Sequence, residues 1–101
     1  MNPLEYILRH IEWSTKTFGP GRYTESILKH IAKELEEIRL LPIDLEEWVD
    51  VMILALDGAW RAGWSPTQII QGLTEKQEKN IRRQWPAPVS EDEPIEHMKV
   101  S

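Results

Sequence analysis

Apolar residues recur every three or four positions along most of the chain, and the places where that rhythm starts and stops predict four helices. Asn2 is read as the first N-cap, with Pro3 in the first turn and Glu5 three residues after the cap, and the helix runs to about Thr15. Phe18-Gly19-Pro20-Gly21 breaks it. Thr24 is read as the cap of a second helix reaching about Leu40. Leu41-Pro42-Ile43 turns the chain, Asp44 caps a third helix to about Ala62, and Gly63 suits its stop. Ser65-Pro66-Thr67-Gln68 has the form of a capping box with proline at the first helical position, opening a fourth helix to about Gln84. No segment alternates convincingly as a strand. The expected fold is all-α: a four-helix bundle protomer over residues 1–85, then an extended Pro/acidic tail over 86–101, where Pro86, Pro88 and Pro94 stand among Ser90, Glu91, Asp92 and Glu93.

Several polar residues interrupt the apolar lines. Ile27, Ile31 and Ile38 mark the stripe of the second helix, and Glu34 falls into it. In the third helix, Asp50 and Asp57 are seven residues apart on one face, with Glu47 and Arg61 nearby. In the fourth, Ile69 and Leu73 are followed along the same line by Lys76, Asn80 and Arg83. An ionised carboxylate buried without a partner is costly, and a metal, or a lysine or arginine from a neighbouring helix, removes the difficulty. Gly58 costs helix propensity and hints at the close approach of a backbone or ligand.

Two acidic pairs flank the Pro42 turn: Glu34-Leu35-Glu36-Glu37 and Glu47-Trp48-Val49-Asp50. Residues three apart on a helix share a face, so two antiparallel helices can aim Glu34, Glu37, Glu47 and Asp50 at one point. Oxygen ligands of this kind suit Mg²⁺ or Mn²⁺. Ordinary roles compete. With 17 acidic residues in the chain, most such pairs are solvated faces. Glu47 has a rival place as capping-box partner of Asp44, and Lys76 and Lys79 are equally suited to solvent. Asp50 has no such alternative.

Composition narrows the chemistry. A chain of 101 residues is one domain, and without cysteine it has neither disulfides nor thiolate sites. A net charge of −5 argues against general nucleic-acid binding but not against a small phosphate ligand bridged by metal ions. Val51–Leu56, the longest apolar stretch, is too short for a bilayer, and the N-terminus lacks a signal-peptide pattern, so no membrane role and a cytoplasmic location are expected. His10 and His30 read as residues at the core's edge and His97 lies in the tail, which leaves no close His/Cys set for zinc. No Gly-x-Ser-x-Gly turn supports serine hydrolase chemistry. The third helix, with Leu45, Trp48, Val49, Met52, Ile53, Leu56 and Trp60, is apolar on most sides, which predicts burial against another subunit.

Longer strings carry a resemblance. They are His10-Ile11-Glu12-Trp13-Ser14, Thr17-Phe18-Gly19-Pro20-Gly21, Leu54-Ala55-Leu56-Asp57-Gly58-Ala59-Trp60-Arg61 and Lys76-Gln77-x-Lys79-Asn80-x-x-Arg83-x-Trp85-Pro86. Together with the two acidic pairs, the chain resembles the MazG-like all-α nucleoside triphosphate pyrophosphohydrolases over nearly its whole length. Within them it is most similar to the dATP/dGTP pyrophosphohydrolase branch that includes the phage MazZ type. Only nine residues separate Glu37 from Glu47, a shorter gap than is usual in the wider superfamily.

The resemblance implies cleavage of a nucleoside triphosphate, preferentially dGTP with dATP as the alternative, to a monophosphate and pyrophosphate. Glu34, Glu37, Glu47 and Asp50 would hold two or more Mg²⁺ or Mn²⁺ ions, with Glu37 as a candidate proton acceptor. Lys76, Lys79, Asn80 and Arg83 would hold phosphates, Lys76 also acting on the developing charge. Trp13 and Phe18 would stack on the base, or else pack as ordinary core, and Asp57 with Arg61 would support the site by positioning Lys76 or a further metal. The resemblance also implies a homo-oligomer, a dimer or dimer of dimers, in a bacterial or phage-infected cell. There, removal of dGTP would feed purine deoxynucleotide metabolism. The competing reading is a non-catalytic helical interaction module or regulator.

Overall fold

The computed structural model describes residues 1–98, so residues 99–101 of the expected tail lie outside the described residues. Four helices follow in order: α1 (Pro3–Phe18), α2 (Thr24–Leu40), α3 (Leu45–Arg61) and α4 (Pro66–Arg82), with no strand among the described residues. The fold is all-α. The chain divides into two compact units, Met1–Ile70 and Gln71 onward, and each is described by itself.

In the first unit α3 packs against both α2 and α1. Ile7 of α1 and Ile27 and Ile38 of α2 supply the buried apolar side chains. Ile27, Glu34 and Ile38 recur at helical spacing, which is why the predicted stripe carries its glutamate inside. On α3, the most apolar of the helices, the one buried residue is Arg61. Much of the apolar surface expected to need cover stays open in a single chain: Leu45 is 73% exposed and Met52 68%.

The caps explain the helix ends. Asn2 accepts the Glu5 N–H at 2.9 Å and its amide donates to the Glu5 carboxylate at 3.0 Å, closing the box around Pro3. Ser65 and Gln68 cap each other reciprocally at 3.0 and 3.2 Å. Three boundaries differ from expectation, the simplest being α4, which ends at Arg82 and not at Gln84. Helix α1 continues past Thr15 to Phe18 and stops only at Gly19, whose N–H still bonds to the Thr15 carbonyl and whose φ of 91° then turns the chain out of the helix. The cap of α2 is Tyr23, in the left-handed conformation at φ 51° and without a side-chain cap bond, so Thr24 is already helical.

Gly58 is not there for close packing. A Cβ built on it meets only the Ile27 Cγ2 at 3.8 Å, an ordinary contact, so among the described residues no backbone makes the close approach suggested by the sequence. Gly58→Ala should therefore stabilise the protein by roughly 0.5–1 kcal/mol through helix propensity. Gly63→Ala should destabilise it, because Gly63 sits at φ 112°. Thermal melts of the two variants should move in opposite directions.

In the second unit, Gln71 to Arg82 completes α4, and residues 86–98 have no regular helix. The tail is not free of its helix. The Trp85 indole donates to the Asn80 carbonyl at 2.8 Å and stands edge-on to His97 at 5.9 Å, while the Met98 N–H reaches the Gln84 carbonyl at 2.7 Å.

Candidate active site

The α2–α3 turn sets the geometry. The Leu41 N–H bonds back to the Glu37 and Ile38 carbonyls, the Asp44 N–H bonds to Leu41, and the Trp48 indole donates across the turn to the Pro42 carbonyl at 2.8 Å. A four-residue connection so braced holds the end of α2 against the start of α3, which makes the short gap between the acidic pairs workable.

Three carboxylates converge there. Glu34, Glu37 and Glu47 each offer an oxygen, and these oxygens lie within 4.8 Å of one another. Glu34 is buried, the other two are half-buried, and Glu34 Oε2 and Glu47 Oε2 are both shut from solvent with no hydrogen-bond partner. Close contact with the Glu37 carboxyl, burial and the nearby charges of Glu37 and Asp50 push the Glu34 carboxyl above its ordinary value, against a smaller opposing effect of His30. Burial, then contact with Glu37, raises Glu47 likewise. A cluster of mutually repelling oxygens with two orphaned acceptors fits a hard divalent cation.

The neighbouring acids sort clearly. Asp44 caps the Glu46 N–H at 3.1 Å, so Glu47 is left to the cluster instead of serving as a capping partner. Glu36 pairs outward with Arg39 at 3.3 Å. Asp50 is exposed and lines the adjacent cavity with Glu34, outside the close triad. His30 Nε2 lies 3.1 Å from Glu34 Oε1, which orients that carboxylate from the cavity side.

The cavity, about 440 Å³, runs between α1, α2 and α3. Trp13 and Phe18 wall it, ring centroids 5.5 Å apart and nearly perpendicular, and both rings remain more than half exposed. They are therefore available to a ligand and are not ordinary core.

Behind the cavity lies a buried network. Asp57 Oδ1 accepts from His10 Nε2 at 2.9 Å, Ser14 Oγ at 2.7 Å and the Trp60 indole at 2.8 Å, and Oδ2 accepts from Arg61 Nε at 2.7 Å. Burial would raise this carboxyl, but the bonds from Ser14, Arg61, Trp60 and His10 outweigh it and hold it below its ordinary value. The partner foreseen for Asp57 on another helix is thus the arginine one turn along its own helix, joined by α1 donors. Ser14 and His10 both turn to the same aspartate oxygen, so no base activates the serine. The sequence reading gave His10 and His30 only a place at the core's edge and gave Ser14 and Tyr23 no role of their own. The four-residue spacings of His10 with Ser14 and of Asp57 with Arg61 were the available signal.

On α4, Lys76 and Lys79 are exposed, and Asn80 and Arg83 are half-buried, with Arg83 Nη1 donating to Asn80 Oδ1 at 3.0 Å. All four belong to the second unit. No helix among the described residues is long and apolar enough to cross a membrane.

An all-α domain with clustered glutamates beside an aromatic-walled cavity fits the class of helical nucleoside triphosphate pyrophosphohydrolases. The chain belongs to the dATP/dGTP pyrophosphohydrolase family, whose model matches residues 6–101. It is 42% identical over 93 residues to the Eaa protein of Salmonella phage P22, a match taking in 89% of this chain and 28% of that protein. The chain therefore spans less than a third of the length of that relative. No solved structure matches it.

Proposed function

We propose that the protein is a metal-dependent nucleoside triphosphate pyrophosphohydrolase that releases a monophosphate and pyrophosphate, preferentially from dGTP with dATP next. The observation that carries this reading is the Glu34–Glu37–Glu47 cluster with its two orphaned buried oxygens, in a chain of the dATP/dGTP pyrophosphohydrolase family. Glu34, Glu37 and Glu47, with Asp50 at the cavity edge, would hold Mg²⁺ or Mn²⁺, two or more ions per site. Such ions would supply charge neutralisation for the triphosphate and activation of the attacking water. Glu37, in touch with both other glutamates, accepts the water's proton. Trp13 and Phe18 stack on the base, a mode tolerant of either purine. Lys76, Lys79, Asn80 and Arg83 hold phosphate oxygens, and Lys76 stabilises charge on the leaving group.

The open apolar face of α3 and the α2–α3 turn, where Ile43 is 97% exposed, supports a homo-oligomer, a dimer or dimer of dimers. The similarity to a phage protein supports work in purine deoxynucleotide metabolism of a phage-infected or bacterial cytoplasm. A purely non-catalytic interaction module would use the apolar face but leave the buried glutamates without a reason.

Chromatography of products from the eight common nucleoside triphosphates, with Mg²⁺ and separately with Mn²⁺, tests the reaction. Monophosphate plus pyrophosphate, chiefly from dGTP, is expected; no product from any nucleotide would sink the reading. Metal binding has its own signature. A cation at a hundred times its Kd adds about 2.7 kcal/mol of stability, roughly 10 °C or more in Tm for a chain of this size. Because the Glu34 and Glu47 carboxyls are raised, cation and protons compete for them. Mn²⁺ affinity should rise as pH climbs above the ordinary carboxylate range, and binding should acidify an unbuffered solution. Titration calorimetry in buffers of different ionisation enthalpy measures that release.

A further inference from the structure

Arg61 is an unusual residue to find at the centre of so small a unit. Its side chain is 1% exposed, and its guanidinium has five N–H groups. Each meets an acceptor. Nε goes to Asp57 Oδ2 at 2.7 Å, Nη1 to the carbonyls of Gly19 at 2.8 Å and Gly21 at 2.6 Å, and Nη2 to Ser14 Oγ at 2.8 Å and its carbonyl at 3.4 Å. The same group lies over the Tyr23 ring at 5.0 Å and the Trp60 ring at 4.5 Å.

Three further facts concern the segment it grips. Tyr23 is the one non-glycine residue with positive φ among the described residues, a conformation that surrounding contacts must hold. Its hydroxyl donates to the Phe18 carbonyl at 2.9 Å. A Cβ on Gly21 would lie 2.9 Å from a Tyr23 ring carbon, so loop and ring fit only in this arrangement. Phe18, at the other end of the loop, is the ring that meets Trp13 across the cavity mouth.

We propose that Arg61, anchored by Asp57, is a positioning residue for nucleoside recognition: it clamps the Gly19–Pro20–Gly21 loop and, through Tyr23, sets Phe18 against Trp13 as the base-binding wall. The clamp shares no residue with the glutamate cluster, so the base and the triphosphate are governed by different residues of the site. The proposal rests on the nucleotide reading above and adds a residue that acts through the loop it holds.

Lysine separates positioning from mere stability. Arg61→Lys keeps a cation for Asp57 but, as a point charge, cannot span two loop carbonyls and a serine. The expected result is a KM for dGTP raised about tenfold, equivalent to about 1.4 kcal/mol of binding lost through a misplaced wall, with kcat within about threefold. Mn²⁺ affinity, read by electron paramagnetic resonance, should not change. Tyr23→Phe, which removes only the hydroxyl link to Phe18 and leaves the fold intact, should raise KM in the same direction by less. A lowered Tm with unchanged KM in both variants would show a structural role alone and overturn the proposal. Should Arg61→Lys fail to fold, Tyr23→Phe decides by itself.

A wild-type protein without turnover would refute the hydrolase reading, not the clamp. The clamp is then judged by nuclear magnetic resonance titration with dGMP in the absence of metal. Weaker binding in Tyr23→Phe than in wild type supports it; equal binding, or none by wild type, overturns it.

Discussion

Glu47→Gln is expected to lower kcat/KM for dGTP by on the order of 10²–10³, the loss typical when a group stabilising transition-state charge is removed. Glu34→Gln should match it, and Asp50→Asn should also lose turnover while keeping the fold. The amide preserves the shape of the glutamate but cannot hold a divalent cation as a carboxylate does. Stability should move the other way. Glu34 and Glu47 have raised carboxyls, so their contribution to stability is full below the ordinary value and is lost as pH rises through the raised one. At neutral pH without metal, each amide variant should therefore melt no lower than the parent. With Mn²⁺ the order reverses, since only the parent gains from binding. Melting curves with and without Mn²⁺ beside steady-state kinetics check both halves. Normal turnover in Glu47→Gln would remove that residue from the cation's ligands.

The second large effect is structural. Asp57→Ala leaves a guanidinium buried with its counter-charge gone, and also strips an acceptor from His10, Ser14 and Trp60. Breaking a buried pair from one side costs about 3–5 kcal/mol. For a chain of about 100 residues that is a fall in Tm of roughly 15 °C or more. Asp57→Asn should cost less, because the amide still accepts through its oxygen. The same carboxylate predicts an acid limb. Its value is lowered, so its stability is present above the unfolded aspartate value of about 3.9 and is lost as pH falls through the lower folded value. Asp57→Asn should flatten that limb. An unchanged acid profile would mean that other carboxylates set it.

Glu34 shows how much of the site was legible. Its place inside the Ile27–Ile38 stripe is a matter of periodicity, and the structure buries all three. The approach of Glu37 to Glu47 depends also on the braced turn at Pro42, which the proline signals but whose Trp48 bond it does not. Asp57 was recognisable as a polar residue on an apolar face, yet its partners were not, because His10 and Ser14 lie more than 40 residues away in the chain. Tyr23 was hidden for a different reason. Nothing local favours a tyrosine at φ 51°; long-range contacts impose it.

The sequence by itself determined the four helices, most of their caps and the acidic faces of α2 and α3, because periodicity and capping are properties of residues within a few positions of one another. The tertiary structure decided which carboxylates meet, which side chain neutralises Asp57 and where the aromatic wall stands. Those outcomes depend on how α1 and α2 pack against α3, where distances between side chains remote in sequence are set by the packing of the whole unit.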